Sequence, residues 1–91
     1  MTLEEVKQYL RVEGNEDDAL ITNEMAAAES YVRDAVSGYA TFYASDAAFK
    51  AKADMVMLAI ITSLYEDRVG EKKDLGYIIR SMIYQLSLWE G

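Results

Sequence analysis

Apolar residues recur along this chain at helical spacing rather than in strand-like alternation. Leu3, Val6, Tyr9 and Leu10 share one helix face. Thr2 precedes them with Glu5 three residues on, the spacing of a capping box, in which hydroxyl and carboxylate each take a free backbone N–H. The first helix is expected to run through Leu10, leave helical geometry over Arg11 to Gly14, and turn at Gly14-Asn15. A second helix is expected to start near Glu16. Asp17 and Asp18 then fall in its first turn, where the helix dipole favours carboxylates. Its buried stripe has one edge made by Leu20, Ala27, Tyr31 and Ala35 and another by Ile21, Ala28, Val32 and Val36. The alanines at 26–28 let another backbone come close, and Gly38 can end the helix in a left-handed conformation.

Residues 39–45, with three aromatics, read as a connection. Ser45 or Asp46 can cap a third helix, expected to run to about Arg68. Residues 55–61 are apolar on every side, the pattern of a helix enclosed by others, so this is the expected central helix. Gly70 is expected to end it, with Glu71-Lys72-Lys73 as a charged loop. Leu75, Ile78, Ile79, Met82, Ile83 and Leu86 form the apolar face of a fourth helix, with Asp74 as its N-cap and Leu88 to Gly91 as a tail. The expectation is an all-α chain: one small domain, residues 1–91, of about four helices around a central buried one.

Composition agrees and narrows the function. An apolar fraction of 52% in 91 residues suits a folded domain near the lower size limit for an independent core. Domains this small often gain further burial from partners or from copies of themselves. Of the net charge of −7, most lies early: residues 1–38 hold nine acids and three bases. Phosphate would be repelled there, which argues against a sequence-specific DNA grip. A helix-turn-helix reader is disfavoured for the same reason, since no basic recognition helix is present. The first five residues lack the basic start and apolar core of a signal peptide. The longest apolar run, residues 55–61, is far short of the ~20 residues of a membrane span. A soluble, cytoplasmic chain with no membrane contact is the expectation.

Nothing in the chain assembles a catalytic or cofactor site. With no cysteine and no histidine, thiolate zinc sites, cysteine nucleophiles and imidazole bases are excluded. Glu13, Glu16, Asp17 and Asp18 surround Gly14, yet their spacing does not follow a calcium loop, and the helix dipole accounts for acids at that position. Tyr65, Glu66 and Arg68 have no nucleophile or glycine-rich phosphate loop beside them. Glu66 and Arg68 stand two apart and do not face each other on a helix, so a partner on another helix or another subunit suits Arg68 better. No enzyme, no metal and no cofactor are expected. Met55, Met57 and Met82 read as core filler, whereas Met25, among alanines, can form an adaptable contact. Trp89 has little chain left to cover it. It either folds back over the last helix or anchors an interface.

The order of these pieces resembles the head–tail connector (adaptor) proteins of tailed phages and prophages, often labelled DNA packaging proteins. The resemblance is carried by Thr2 to Arg11, the acidic turn after it, Ala27-Ala28 with Tyr31-Val32, Ala53 with Tyr65-Glu66-Asp67-Arg68, and Ser81-Met82-Ile83-Tyr84-Gln85-Leu86. Two departures stand out: no proline precedes the final helix, and Ser87 occupies the place of an arginine. The resemblance implies a structural virion protein that forms a ring beneath the portal after packaging. It would extend the DNA channel, with DNA only as passing cargo, and offer a dock for neck and tail completion proteins. Its location would be the virion neck, after a stage in the host cytoplasm. By similarity to related adaptors, Leu86, Leu88 and Trp89 are the expected portal contact, with Arg68 and Met25 as expected inter-subunit contacts. The composition equally permits another class, a small phage-encoded helical module that sequesters a host protein. Ring formation and portal affinity discriminate the two.

Overall fold

The computed structural model describes residues 1–68 and 76–89, with side chains through Glu66 and again from Gly76. Within these bounds the chain is all helical: α1 (Leu3–Leu10), α2 (Asp18–Ala35), α3 (Tyr39–Ser45), α4 (Ala47–Arg68) and α5 (Gly76–Ser87). The expected end of the third helix at Gly70, the loop at 71–73, the Asp74 cap and Leu75 lie outside the described residues.

The capping box at α1 forms as expected. Glu5 N–H donates to Thr2 Oγ1 at 3.2 Å, and Thr2 N–H donates to Glu5 Oε1 at 2.8 Å. α1 ends at Arg11, which takes the left-handed conformation at φ 60° without being glycine. Two bonds hold it there: Arg11 N–H to the Gln8 carbonyl and Val12 N–H to the Lys7 carbonyl, at 3.2 and 2.9 Å. Lys7 spans the following turn, donating to the Gly14 carbonyl at 2.6 Å and pairing with Asp18 at 2.8 Å. α2 begins at Asp18, two residues beyond the expected start, and buries Ile21, Ala28 and Val32. The other expected edge is only partly inward, since Tyr31 and Ala35 are exposed.

The chief difference from the expected four helices is the aromatic connection, which is helix α3. Gly38, at φ 77°, supplies the left-handed step that its sequence position suggests, but it opens α3 instead of closing α2, which has already ended at Val36. Tyr39 is buried, and Phe42 and Tyr43 pack against the core, so tertiary contact stabilises a segment too short to be helical alone. Asp46 is extended and forms the corner between α3 and α4: its N–H closes α3 on the Phe42 carbonyl, and its own carbonyl receives Lys50 N–H.

α4 is the central helix, packed against α2, α3 and α5. Phe49, Ala53, Val56, Met57, Ile60 and Ile61 are its buried residues. It is not enclosed all round, because Met55 is 62% exposed and Leu58 and Ala59 are half-buried. A bundle this small has no layer to place over the outer side of α4. α5 turns Ile79, Met82, Ile83 and Leu86 inward, while Ile78, expected on that face, is exposed.

Candidate functional site

The expected portal-contact residues lie at the C-terminal end of the described chain. Leu86 is buried, 3% exposed, on the inner face of α5. Leu88 is just past the helix and points away, 59% exposed. Trp89 turns back onto the start of α4, meeting Phe49 edge to face at 5.4 Å between ring centroids. Its Nε1–H donates to Asp46 Oδ2 at 3.0 Å, and Lys52 Nζ stands 5.0 Å from the ring centroid. Of the two roles open to Trp89, the structure thus has it folded back, though onto α4.

Asp46 makes that position possible. Its other oxygen, Oδ1, accepts the N–H groups of Ala48 and Phe49, both at 3.1 Å, the arrangement of an N-cap. The Phe49 N–H and then the Trp89 indole hold the Asp46 carboxyl below its ordinary value. Between α4 and α5 this leaves a shallow groove of about 250 Å³, lined by Lys52, Met55, Val56, Met82, Gln85, Leu86 and Trp89.

α5 has a second side that the inward stripe concealed. Tyr77, Ser81 and Tyr84 follow i, i+4 and i+7, which places them together on its outer face. Tyr77 is 76% and Tyr84 65% exposed. The signal was present in the sequence as a second apolar period, opposite the stronger one.

The expected inter-subunit residues lie elsewhere. Met25 is half-buried on α2 and lines a groove of about 430 Å³ with Met1, Ala26, Tyr43 and Met57 among its walls. Tyr39, beneath it, donates to Met57 Sδ at 3.7 Å; burial, with the Glu29 charge next in effect, pushes its phenol up to about 12. Tyr43 donates to Asp54 Oδ1 at 2.6 Å, and burial together with that bond raises its pKa further still. Glu29 pairs with Arg33 one turn away. Arg68 is the last residue of α4, and its side chain lies outside the described residues. Met25 and the C-terminal residues are therefore not one site.

Two of the acids around Gly14 have structural partners, whereas Glu13 and Glu16 are exposed. Asp17 accepts the Tyr65 phenol at 2.7 Å, which raises the Tyr65 pKa, and Asp18 holds Lys7. Among the described residues, no group of three or more Asp or Glu could hold a metal ion. Among them, too, no helix is long and apolar enough to cross a membrane.

What the surface offers, then, is contact: an outward aromatic face on α5, a tail latched to α4, and a methionine-lined groove. No curated protein and no solved structure matches the chain significantly. Residues 1–85, from the first capping box to the last turn of α5, match the family model described as phage gp6-like head-tail connector protein, and the chain belongs to that family.

Proposed function

We propose that residues 1–91 act as one subunit of a connector ring in the neck of a tailed phage, seated below the portal after packaging and bridging to the neck and tail completion proteins. Family membership across nearly the whole chain carries this reading. The work of such a protein is assembly, not turnover, and it needs neither cofactor nor metal. Before assembly the subunit resides in the host cytoplasm.

The C-terminal end is the portal contact in this reading. Leu88 presents an exposed apolar side chain, while Leu86 and Trp89 fix its position from the core side. Arg68 and Met25 serve neighbouring subunits in a head-to-tail contact that closes by rotation. DNA passes through the ring without being gripped, because the acid-rich first half repels phosphate. Glu4, Glu13 and Glu16 are exposed and suit a test of that placement, whereas Asp17 and Asp18 hold Tyr65 and Lys7. Charge reversal at Glu4, Glu13 and Glu16 should alter genome retention; unchanged retention counts against the placement.

Electron microscopy of particles from a phage lacking this chain tests the function itself. Tailless heads that regain tails on complementation are expected. Normal tailed particles would leave a host-sequestering module as the better reading.

A further inference from the structure

Leu86, Leu88 and Trp89 alternate in exposure. Leu86 is buried, Leu88 stands out in solvent, and Trp89 is half-buried against α4. The backbone joins them tightly: Leu88 N–H donates to the Gln85 carbonyl at 3.2 Å, and Trp89 N–H to the Leu86 carbonyl at 3.0 Å. These i to i+3 bonds carry the chain past α5 as a closed turn. Leu88 is therefore fixed on both sides, by Leu86 in the core and by Trp89 on α4. The hold on Trp89 has three parts, the Asp46 carboxylate on its N–H, the Phe49 ring and the Lys52 cation. Asp46 differs from the other two. Its Oδ1 is committed to the Ala48 and Phe49 N–H groups, so the start of α4 itself aims Oδ2 at the indole.

We infer that Asp46 is a positioning residue for the partner contact. Acting through the Trp89 indole, it holds Leu88 outward in the posture that the partner meets. This inference rests on the reading that the C-terminal end is the portal contact, and it adds a residue of the α4 N-terminus that touches no partner itself. The physical reason is pre-organisation. A loose tail must be ordered at the moment of binding, and each side chain immobilised then costs affinity. With Trp89 latched, that ordering is complete when the subunit folds. The latch also leaves the contact open, because Leu88 is already 59% exposed while Trp89 is in place. Binding that first released Trp89 would take the indole from a carboxylate, an aromatic ring and a cation together.

Asparagine caps helices about as well as aspartate. With its one carbonyl oxygen on the first turn of α4, however, Asp46→Asn turns an NH2 donor toward the indole donor, so the cap survives and the latch does not. Trp89→Phe removes the indole N–H and keeps a ring beside Phe49. Portal affinity is measured for the full-length chain, the two single variants and the double variant. Each single variant should bind about two- to tenfold more weakly, the loss expected when a side chain has to be ordered on binding. The double variant should bind like the singles, because both changes break the same bond. If Asp46 served only as a helix cap, its loss would weaken binding equally beside Trp89 and beside phenylalanine, and that additivity overturns the inference. Unchanged affinity in Asp46→Asn overturns it as well. So does tighter binding, which would make the latch an obstacle that the partner opens. In these three outcomes the portal still binds and the connector reading stands. Should Asp46→Asn fail to fold, Trp89→Phe carries the test, and unchanged affinity there overturns the inference. A full-length chain that does not bind the portal overturns both.

Discussion

Asp46 holds the first turn of α4 with one carboxylate oxygen and the Trp89 indole with the other, so a single side chain couples a helix start to the C-terminal tail. The ionised form makes these bonds, and the carboxyl is held below its ordinary value. The stabilisation is therefore fully present above the ordinary aspartate range and is lost as pH falls through the lowered value. Trp89 is the only tryptophan, so its emission reports the latch. On acidification the emission should shift to the red with a midpoint below the ordinary aspartate pKa, and Asp46→Asn should remove that step. Emission that responds identically in Asp46→Asn contradicts the latch. Half of this was legible in the sequence. An aspartate just before a long apolar helix announces a cap, but nothing local connects it to a residue 43 positions away.

At the scale of elements, what was legible was whatever short-range chemistry determines. The Thr2/Glu5 box and the inner stripe of α5 follow from spacing alone. α3 did not, because seven residues containing a threonine and three aromatics carry weak helical preference, and burial of Tyr39 against Met57 of α4 decides the outcome. Gly38 was recognised as a left-handed residue, yet which helix it served depended on that same tertiary packing. Its importance is testable. A Cβ at position 38 would lie 3.3 Å from the Phe42 ring, and φ is positive. Gly38→Ala should lower stability by about 1–2 kcal/mol, read by urea unfolding. A loss near zero would mean that the α2–α3 corner relaxes freely. Tyr77 and Tyr84 are less legible, because two tyrosines seven residues apart are a weak pattern beside the inner stripe of α5.

For the whole molecule, small size is the governing fact. Its extents are 39 × 25 × 17 Å, and apolar side chains such as Tyr31, Met55, Tyr77, Tyr84 and Leu88 stay exposed on it. The function proposed above would give that exposure a use, burial against partners in the virion. Removing the last five residues would strip Trp89 from Phe49 and Asp46 along with any partner contact, so truncation mixes stability with binding. Leu88→Asp separates them. Leu88 is exposed, so the substitution should leave the unfolding midpoint within the range of ordinary surface changes, about ±0.5 kcal/mol. It should nevertheless weaken portal binding at least about tenfold, the loss expected of a truncated apolar anchor. Full portal affinity in Leu88→Asp would remove the tail from the contact.

Native mass spectrometry of the full chain, alone and mixed with the portal protein of the same phage, addresses the central claim most directly. A closed ring, or a stoichiometric complex with the portal assembly, is the predicted result. A monomer or dimer that leaves the portal unbound at every ratio would contradict the connector account.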